Sequence, residues 1–483
     1  MKSQYDFNEA IHLLKQAFPA LLAFLLQYAL QAFSVTALGH MGSTELAALA
    51  LGSMYAAVTV WSIGFGFTLA LDTLFPQSFS SRRPKLIGIY LQRAIIIILV
   101  GIVPFAVITW WNAGTILGFL GQNVELSMKS EIYLRYLLLG VPPCLIFWCI
   151  EKYLQAQGIM KATTYILMFC CPISLILNYV LVLWEPIALG FIGAPIAISI
   201  TNWLMMICSI FYVKYVDGSE GWGGWSSESL QDWSPLLKLA VPGILTSLAD
   251  WWVYEFLALA AGYLGNLPLA GHRLILTIAL LLYQLPHSIS ISTSNRIGNF
   301  LGAKLANKAR VTANSSLVLA VLGAAFNSTL LLMFSDSLGY LFTNDGEVVS
   351  LVSTVLPYCV LLQISDGLGV VGSGILRGQG RQDIVATIYL TSYYLIGMPL
   401  SLILAFRFSY GLKGLWIGVI VGSLIMGLGL VLAVITTDWQ LEVKKCQKRI
   451  SREELKEREG GRRGASSCGI NFYLEYLEYL EYI

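Results

Sequence analysis

Asp250 and Glu255 lie in LADWWVYEFLALAAGYLG (248–265) and Asp366 in LLQISDGLGV (361–370), three acids inside runs apolar enough to dissolve in lipid. A fourth, Asp72, stands in TLALDTLFPQSF (68–79). An ionised Asp at the centre of a bilayer costs roughly 2.5–3.5 kcal/mol on insertion scales, so several of them are a poor way to stabilise a helix bundle. Two readings are open for each. The acid is protonated or hydrogen-bonded glue between helices, worth about 0.6 kcal/mol on average. Alternatively it lines a part-dry cavity, where a carboxylate exchanges protons closer to neutral pH. A cation competing for the same charge is then exchanged for the proton, which is antiport in its simplest physical form. The second reading is the stronger for Asp250 and Asp366, and Asp72 is a secondary candidate. Glu255 follows Asp250 by five residues, about 140° around a helix, so the two need not face one cavity.

Aromatic residues accompany the acids: Trp251, Trp252, Tyr254, Tyr283, Tyr28 and Phe33. A ring face attracts a cation, most strongly where water is scarce, although Trp and Tyr also gather at membrane interfaces because they are amphipathic. Tyr254 and Tyr283 are the aromatic candidates for a substrate cavity, with Gln27, Tyr28 and Gln31 facing them from the first span. No catalytic constellation forms. His40, His272 and His287 are isolated, no phosphate loop with Lys appears, and no Cys or His spacing suits a metal. Gly367–Gly372 spells GxGxxG, but it follows no strand and lies inside a span, where it serves helix packing. Neither an enzyme, a metal site nor a bound cofactor is expected; a proton gradient, or Na⁺ as the alternative, is the expected driving force.

The elements that must position these residues are membrane helices. Of 483 residues, 57% are hydrophobic and 12% charged, and the mean hydropathy is +0.70. A soluble chain of this length needs far more charge to cover its surface. Apolar blocks long enough to cross a bilayer fall near 14–38, 46–72, 88–111, 132–151, 163–184, 190–213, 236–262, 267–292, 311–334, 348–376, 384–406 and 411–436. No cleavable signal is expected, since Asp6, Glu9 and Lys15 interrupt the weak apolar pattern at the N-terminus. A net charge of +2 on so apolar a chain leaves no face for nucleic acid.

The chain repeats itself. Ala17-Phe18-Pro19 matches Ala240-Val241-Pro242, and Gly39-His40-Met41-Gly42 matches Gly262-Tyr263-Leu264-Gly265. LQAQG (154–158) matches LRGQG (376–380), and GFIG (190–193) matches GLKG (411–414), so the offset stays between 221 and 223 residues. Six spans per half give both halves the same topology, a parallel repeat about an axis along the membrane normal. The expected division is an N-terminal segment (1–13), an N-lobe (14–213), an inter-lobe loop (214–235), a C-lobe (236–437) and a tail (438–483). The repeat also supplies a control. Asp250 maps onto Gln27, Glu255 onto Ala32, Asp366 onto Cys144 and Asp72 onto Ser294, so the acids are additions to the duplicated frame.

Orientation follows from basic residues in short loops. Arg82, Arg83, Lys85, Lys152, Lys161, Arg296, Lys304, Lys308, Arg310, Arg377 and Arg381 gather on one side, against Lys129, Arg407 and Lys413 on the other. Both termini are therefore expected in the cytoplasm. The mixed-charge tail, ending in a Leu-Glu-Tyr repeat, reads as a solvated extension.

Taken together, QYALQAFSVTALGHMGSTELAALALGSM (27–54), LDTLFPQSF (71–79), LQAQG (154–158), DWWVYE (250–255), STSNRIGNFLGA (292–303) and LRGQGRQ (376–382) resemble the eukaryotic branch of the multidrug and toxic compound extrusion (MATE) family, LDTLFPQSF in a fungal manner. The resemblance runs from about residue 10 to 437. It implies an all-α integral membrane fold of twelve helices, in two six-helix lobes around a central cleft. It also implies export of organic cations or metabolites in exchange for protons, with Asp250, Glu255 and Asp366 holding cation or proton in the C-lobe. The family's seventh-helix motif is Glu-Trp-Trp-x-x-Glu; here Asp250 replaces the first Glu, one methylene shorter. Bacterial members often carry an acid on the first helix, where this chain has Gln27 and Gln31, so no N-lobe proton site is expected.

The competing readings are a Na⁺-coupled antiporter using the same residues and a flippase for lipid-linked substrates, which would favour a basic cleft. The expected partners are small amphipathic cations and the lipid bilayer of a plasma or vacuolar membrane, with a monomer as the functional unit.

Overall fold

A computed structural model describes residues 6–462 apart from positions 82 and 344, with side chains described as far as residue 452. Arg82 and the Leu-Glu-Tyr repeat lie outside the described residues. Without water to bond, a backbone in lipid must satisfy its own polar groups, and helices do so within one segment. Twelve helices are long and apolar enough to span a bilayer. The first six are Phe7–Gly39, Ser43–Phe79, Leu86–Trp111, Val124–Ala156, Lys161–Leu183 and Gly190–Tyr215. The second six are Ser234–Leu264, Asn266–Gly302, Ala306–Phe334, Gly346–Gln379, Gln382–Arg407 and Gly411–Ile435. The described residues contain no strand.

Several spans overrun the apolar blocks. The fourth, expected over 132–151, occupies Val124–Ala156. Asn123 caps its start, its side chain accepting from the backbone N–H groups of Glu125 (2.9 Å) and Leu126 (3.3 Å). At its other end Glu151, Lys152 and Gln155 are all buried. The eighth runs on to Gly302 through Ser292, Thr293 and Ser294, each with no exposed surface. Hydropathy reports solubility in lipid, whereas these turns continue the helix against protein.

Packing forms two large cores, yet the chain's midpoint does not divide them cleanly. Ala10, Leu13 and Ala17 of the first span join the core of spans seven to twelve. Leu236 and Ala240 of the seventh join the core of the first six. The two exchanged segments end at equivalent prolines, Pro19 and Pro242. Beyond Pro19 the first span turns to its own lobe, where Thr164 Oγ1 donates to the Pro19 carbonyl at 2.7 Å. The second and seventh spans cross through glycine: a Cβ on Gly66 would stand 2.5 Å from Ile244 Cα, a separation only bare backbone permits.

The connection between halves is a strap. Gly224 O accepts from Gln92 (2.7 Å), whose side-chain oxygen accepts from Ser226 N (3.0 Å), and Tyr153 Oη donates to Gly218 O at 2.7 Å. Gly218 takes φ +102° there, a conformation that favours glycine. The C-terminal tail departs from the solvated expectation. A helix over Trp439–Arg462 buries Cys446 and Ile450 in the C-lobe core. Those two apolar residues are spaced by four inside the charged run KKCQKRIS, so they share one helix face. From the same helix Gln447 donates to Gly302 O (3.1 Å) and Arg449 to Gln379 O (2.6 Å), meeting the orphan carbonyls at the ends of the eighth and tenth spans.

Candidate functional site: a paired acid cluster and a sealed seam

Asp250 on the seventh span and Asp366 on the tenth are within electrostatic reach of each other. Both act on Tyr254, Tyr283, Tyr389 and Tyr393, from the seventh, eighth and eleventh spans. Asp366 is 8% exposed, and its carboxylate accepts from Ser423 Oγ of the twelfth span at 2.7 Å. Ser423 in turn shares a 2.7 Å hydrogen bond with Ser365. Asp250 is half-buried, and among the described residues nothing bonds or ion-pairs to it. One carboxylate is thus fixed by a neutral donor and the other is left with unused acceptor capacity, in a setting rich in phenol rings.

Glu255 stands apart from that cluster. Its Oε2 lies 3.3 Å from Arg273 of the eighth span, as the helical turn separating it from Asp250 permits. Tyr254 packs beside Trp416, with centroids 6.3 Å apart. Tyr283 lies against His287 at 5.4 Å, and His287 stacks on Phe24 of the first span at 4.7 Å. Gln284 donates to Tyr28 Oη at 3.4 Å, so Tyr28 touches the opposite lobe. Gln27 is half-buried and Gln31 exposed. The tryptophans of DWWVYE serve packing: Trp251 stacks on Phe65 (5.9 Å), and Trp252 Nε1 donates to Val58 O (2.9 Å), both across the lobes.

Sequence reasoning missed Tyr389, Tyr393 and Ser423. The two tyrosines are four residues apart, hence on one helix face, which is the signal that could have found them. Nothing local marks Ser423 among the many serines of these spans.

Asp72 belongs to a second cluster. It is 1% exposed, with Oδ1 2.8 Å from Lys152 Nζ and Oδ2 3.5 Å from Arg377 Nε. Arg377 comes from the other lobe, and its remaining nitrogens donate to Ser373 and Ser290, each at 2.9 Å. Lys152 and Arg377 entered the sequence reading only as orientation charges; here both are buried. Neighbouring bonds close the seam between the lobes. Thr73 Oγ1 donates to Arg377 O, Gln77 to Gly378 O (2.8 Å), Gln382 to Leu69 O (2.7 Å) and Ser80 to Asn299 (2.6 Å). Gly302 fits because a Cβ there would lie 2.3 Å from Gln77 O. Toward the opposite ends of the spans, bonds such as Ser34–Asn178 (2.8 Å) and Lys129–Glu45 (3.2 Å) lie within one lobe, while Trp252 bonds Val58 across the lobes nearer the middle.

One helix joins the two clusters. Asp366 and Arg377 are eleven residues apart on the tenth span, about 16 Å along the axis and within about 20° of the same face. Movement of that helix is therefore felt at both sites.

Comparison with known proteins follows the same duplication. The MatE family model matches residues 19–180 and again 242–403, a repeat offset by 223 residues at both bounds. The chain is 37% identical over 445 residues to Uncharacterized transporter C323.07c of Schizosaccharomyces pombe, covering 92% of this chain and 83% of that protein. It is 31% identical over 463 residues to Multidrug and toxin extrusion protein 1 of Homo sapiens, covering 95% and 80%. The crystal structure of the eukaryotic MATE transporter AtDTX14 superimposes with a TM-score of 0.87 at 28% identity, covering 92% of this chain and 99% of that one. The chain therefore belongs to the MatE family of multidrug and toxin extrusion proteins, and it is a transporter of twelve membrane-spanning helices rather than an enzyme.

Proposed function

We propose that this transporter exports amphipathic organic cations or metabolites in exchange for protons by alternating access, with Asp250 and Asp366 as the site where cation and proton compete. The observation that carries this reading is the pair of carboxylates on the seventh and tenth spans, within electrostatic reach of each other and of four tyrosines, with no ion pair made to Asp250 among the described residues. A cation entering there gains charge and ring faces together, and a proton arriving at the same carboxylates removes the charge and releases it. Glu255, tied to Arg273, has a lesser part at the edge of that site.

The sealed Asp72 seam supports a state closed on the side of the chain termini. With the basic loops placing the termini in the cytoplasm, that state faces outward, ready to release cation and take up protons. One chain supplies both lobes and the whole site, so a monomer suffices.

Proteoliposomes loaded with a fluorescent organic cation test the reading under separately imposed proton and Na⁺ gradients. Flux driven by the proton gradient alone is the expected result. Flux driven only by Na⁺ replaces the coupling ion, and absence of flux from folded protein overturns the substrate class.

A further inference from the structure

We propose that a groove between the first, fifth and eighth spans is a binding site for an anionic phospholipid of the leaflet next to the chain termini. The groove has a volume of about 470 Å³ and is lined by Leu14, Lys15, Phe18, Lys161, Leu285 and Ile289, among others. Its wall is almost wholly apolar, with Lys15 and Lys161 its only charged lining residues among those described. Lys161 is the first residue of the fifth span and Lys15 lies two turns into the first. From there the lining continues inward through Phe18 and Leu21, about 9 Å along the helix from Lys15. Phe18 is 68% exposed, so this face is one that the bilayer covers.

The charge at the rim is unanswered. Neither lysine forms an ion pair among the described residues. Glu9, the acid about one and a half turns before Lys15, is held by Nε and Nη2 of Arg296 (2.6 and 2.8 Å) and by Thr312 (2.7 Å). Asp6 is used as the helix cap, accepting from Asn8 N at 2.9 Å. Two free ammonium groups above an apolar slot fit a phosphate-bearing head group with an acyl chain below it. They repel a cationic substrate, and a lipid of no net charge leaves them uncompensated. A cytoplasmic leaflet is where anionic lipids concentrate, so the assignment rests on the orientation proposed above. Lys161 belongs to one lobe, while Leu285 and Ile289 belong to the other. A lipid seated here therefore touches both.

The test uses the full chain in phosphatidylcholine nanodiscs carrying a minor fraction of phosphatidylserine, with retained lipids read by native mass spectrometry. Phosphatidylserine is expected to be enriched on the wild-type chain. At about 1 kcal/mol per lysine near the surface, the enrichment should fall about 30-fold in Lys15→Gln/Lys161→Gln. Leu285→Trp, which fills the slot, should reduce retention of both lipids. Equal enrichment in the double-lysine variant overturns the site. Displacement of the lipid by millimolar inorganic phosphate overturns the lipid assignment in favour of a free anion. Because neither readout requires transport, failure here is distinguishable from failure of the proposed exchange.

Discussion

Asp72 and Asp250 are the same residue type, placed within spans that touch, and the protein treats them in opposite ways. Asp72 is sealed from water between Lys152 and Arg377, while Asp250 is half-buried with no bonded partner. A buried pair stripped of one member leaves an uncompensated charge and is costly to break. An unpaired carboxylate within reach of a second one is a poor structural element and a good receptor for whatever cation arrives. The contrast separates a group that ties the lobes together from one that, in the proposed function, leaves its charge for cargo.

The largest effect is expected from neutralising the central acids. Asp250→Asn and Asp366→Asn should each reduce coupled cation flux in proteoliposomes at least tenfold, while thermal unfolding in detergent changes little. Normal flux in both variants would make these acids structural and erase the contrast. Next comes the seam. Arg377→Met should destabilise the purified protein by roughly 1–3 kcal/mol, the scale for buried polar groups left unsatisfied while Lys152 still holds Asp72, seen as a lowered unfolding temperature. Asp72→Asn combined with Arg377→Met should recover none of that loss, since Lys152, 2.8 Å from Asp72, is then left buried without its partner. An unchanged unfolding temperature in Arg377→Met would mean that the pair adds nothing to the closed state.

A smaller effect is expected at the tail helix. Burial pushes the Cys446 thiol up to about 11, so at neutral pH it stays protonated and slow to react. Arg449→Ala, which removes the bond to Gln379 O, should raise maleimide labelling of Cys446 several-fold in a chain with Cys468 replaced by Ser. Labelling that is already fast in the parent would show that the helix is undocked in solution. Smallest is Glu255→Gln. A half-exposed ion pair contributes about 0–1 kcal/mol, so an apparent KM change of two- to fivefold is expected, with flux retained. Complete loss of flux would move Glu255 into the central site.

The central acids were visible in the sequence because a single carboxylate in an apolar run has no cheap explanation. The seam was not. Lys152 and Arg377 read as loop charges because each stands at the end of an apolar block, and the Asp72 that binds them lies 80 and 305 residues away. Tyr389, Tyr393 and Ser423 escaped notice for a related reason: Tyr and Ser are ordinary in spans, and only packing distinguishes those that reach Asp366. Docking of the tail was half legible, in the four-residue spacing of Cys446 and Ile450, but the charges around them concealed it.

The sequence by itself determined twelve helices, their duplication and the positions of the intramembrane acids. Those follow from local quantities: hydropathy over one span, a register kept at 221–223 residues, and the cost of placing charge in lipid. Only the tertiary structure decided which acid is neutralised and which is left open. The same is true of the exchange of Ala10–Ala17 and Leu236–Ala240 between the cores, and of the groove beside Lys15 and Lys161. The physical reason is that pairing, burial and cavity shape are properties of surfaces brought together from distant segments, and no window of sequence contains both sides.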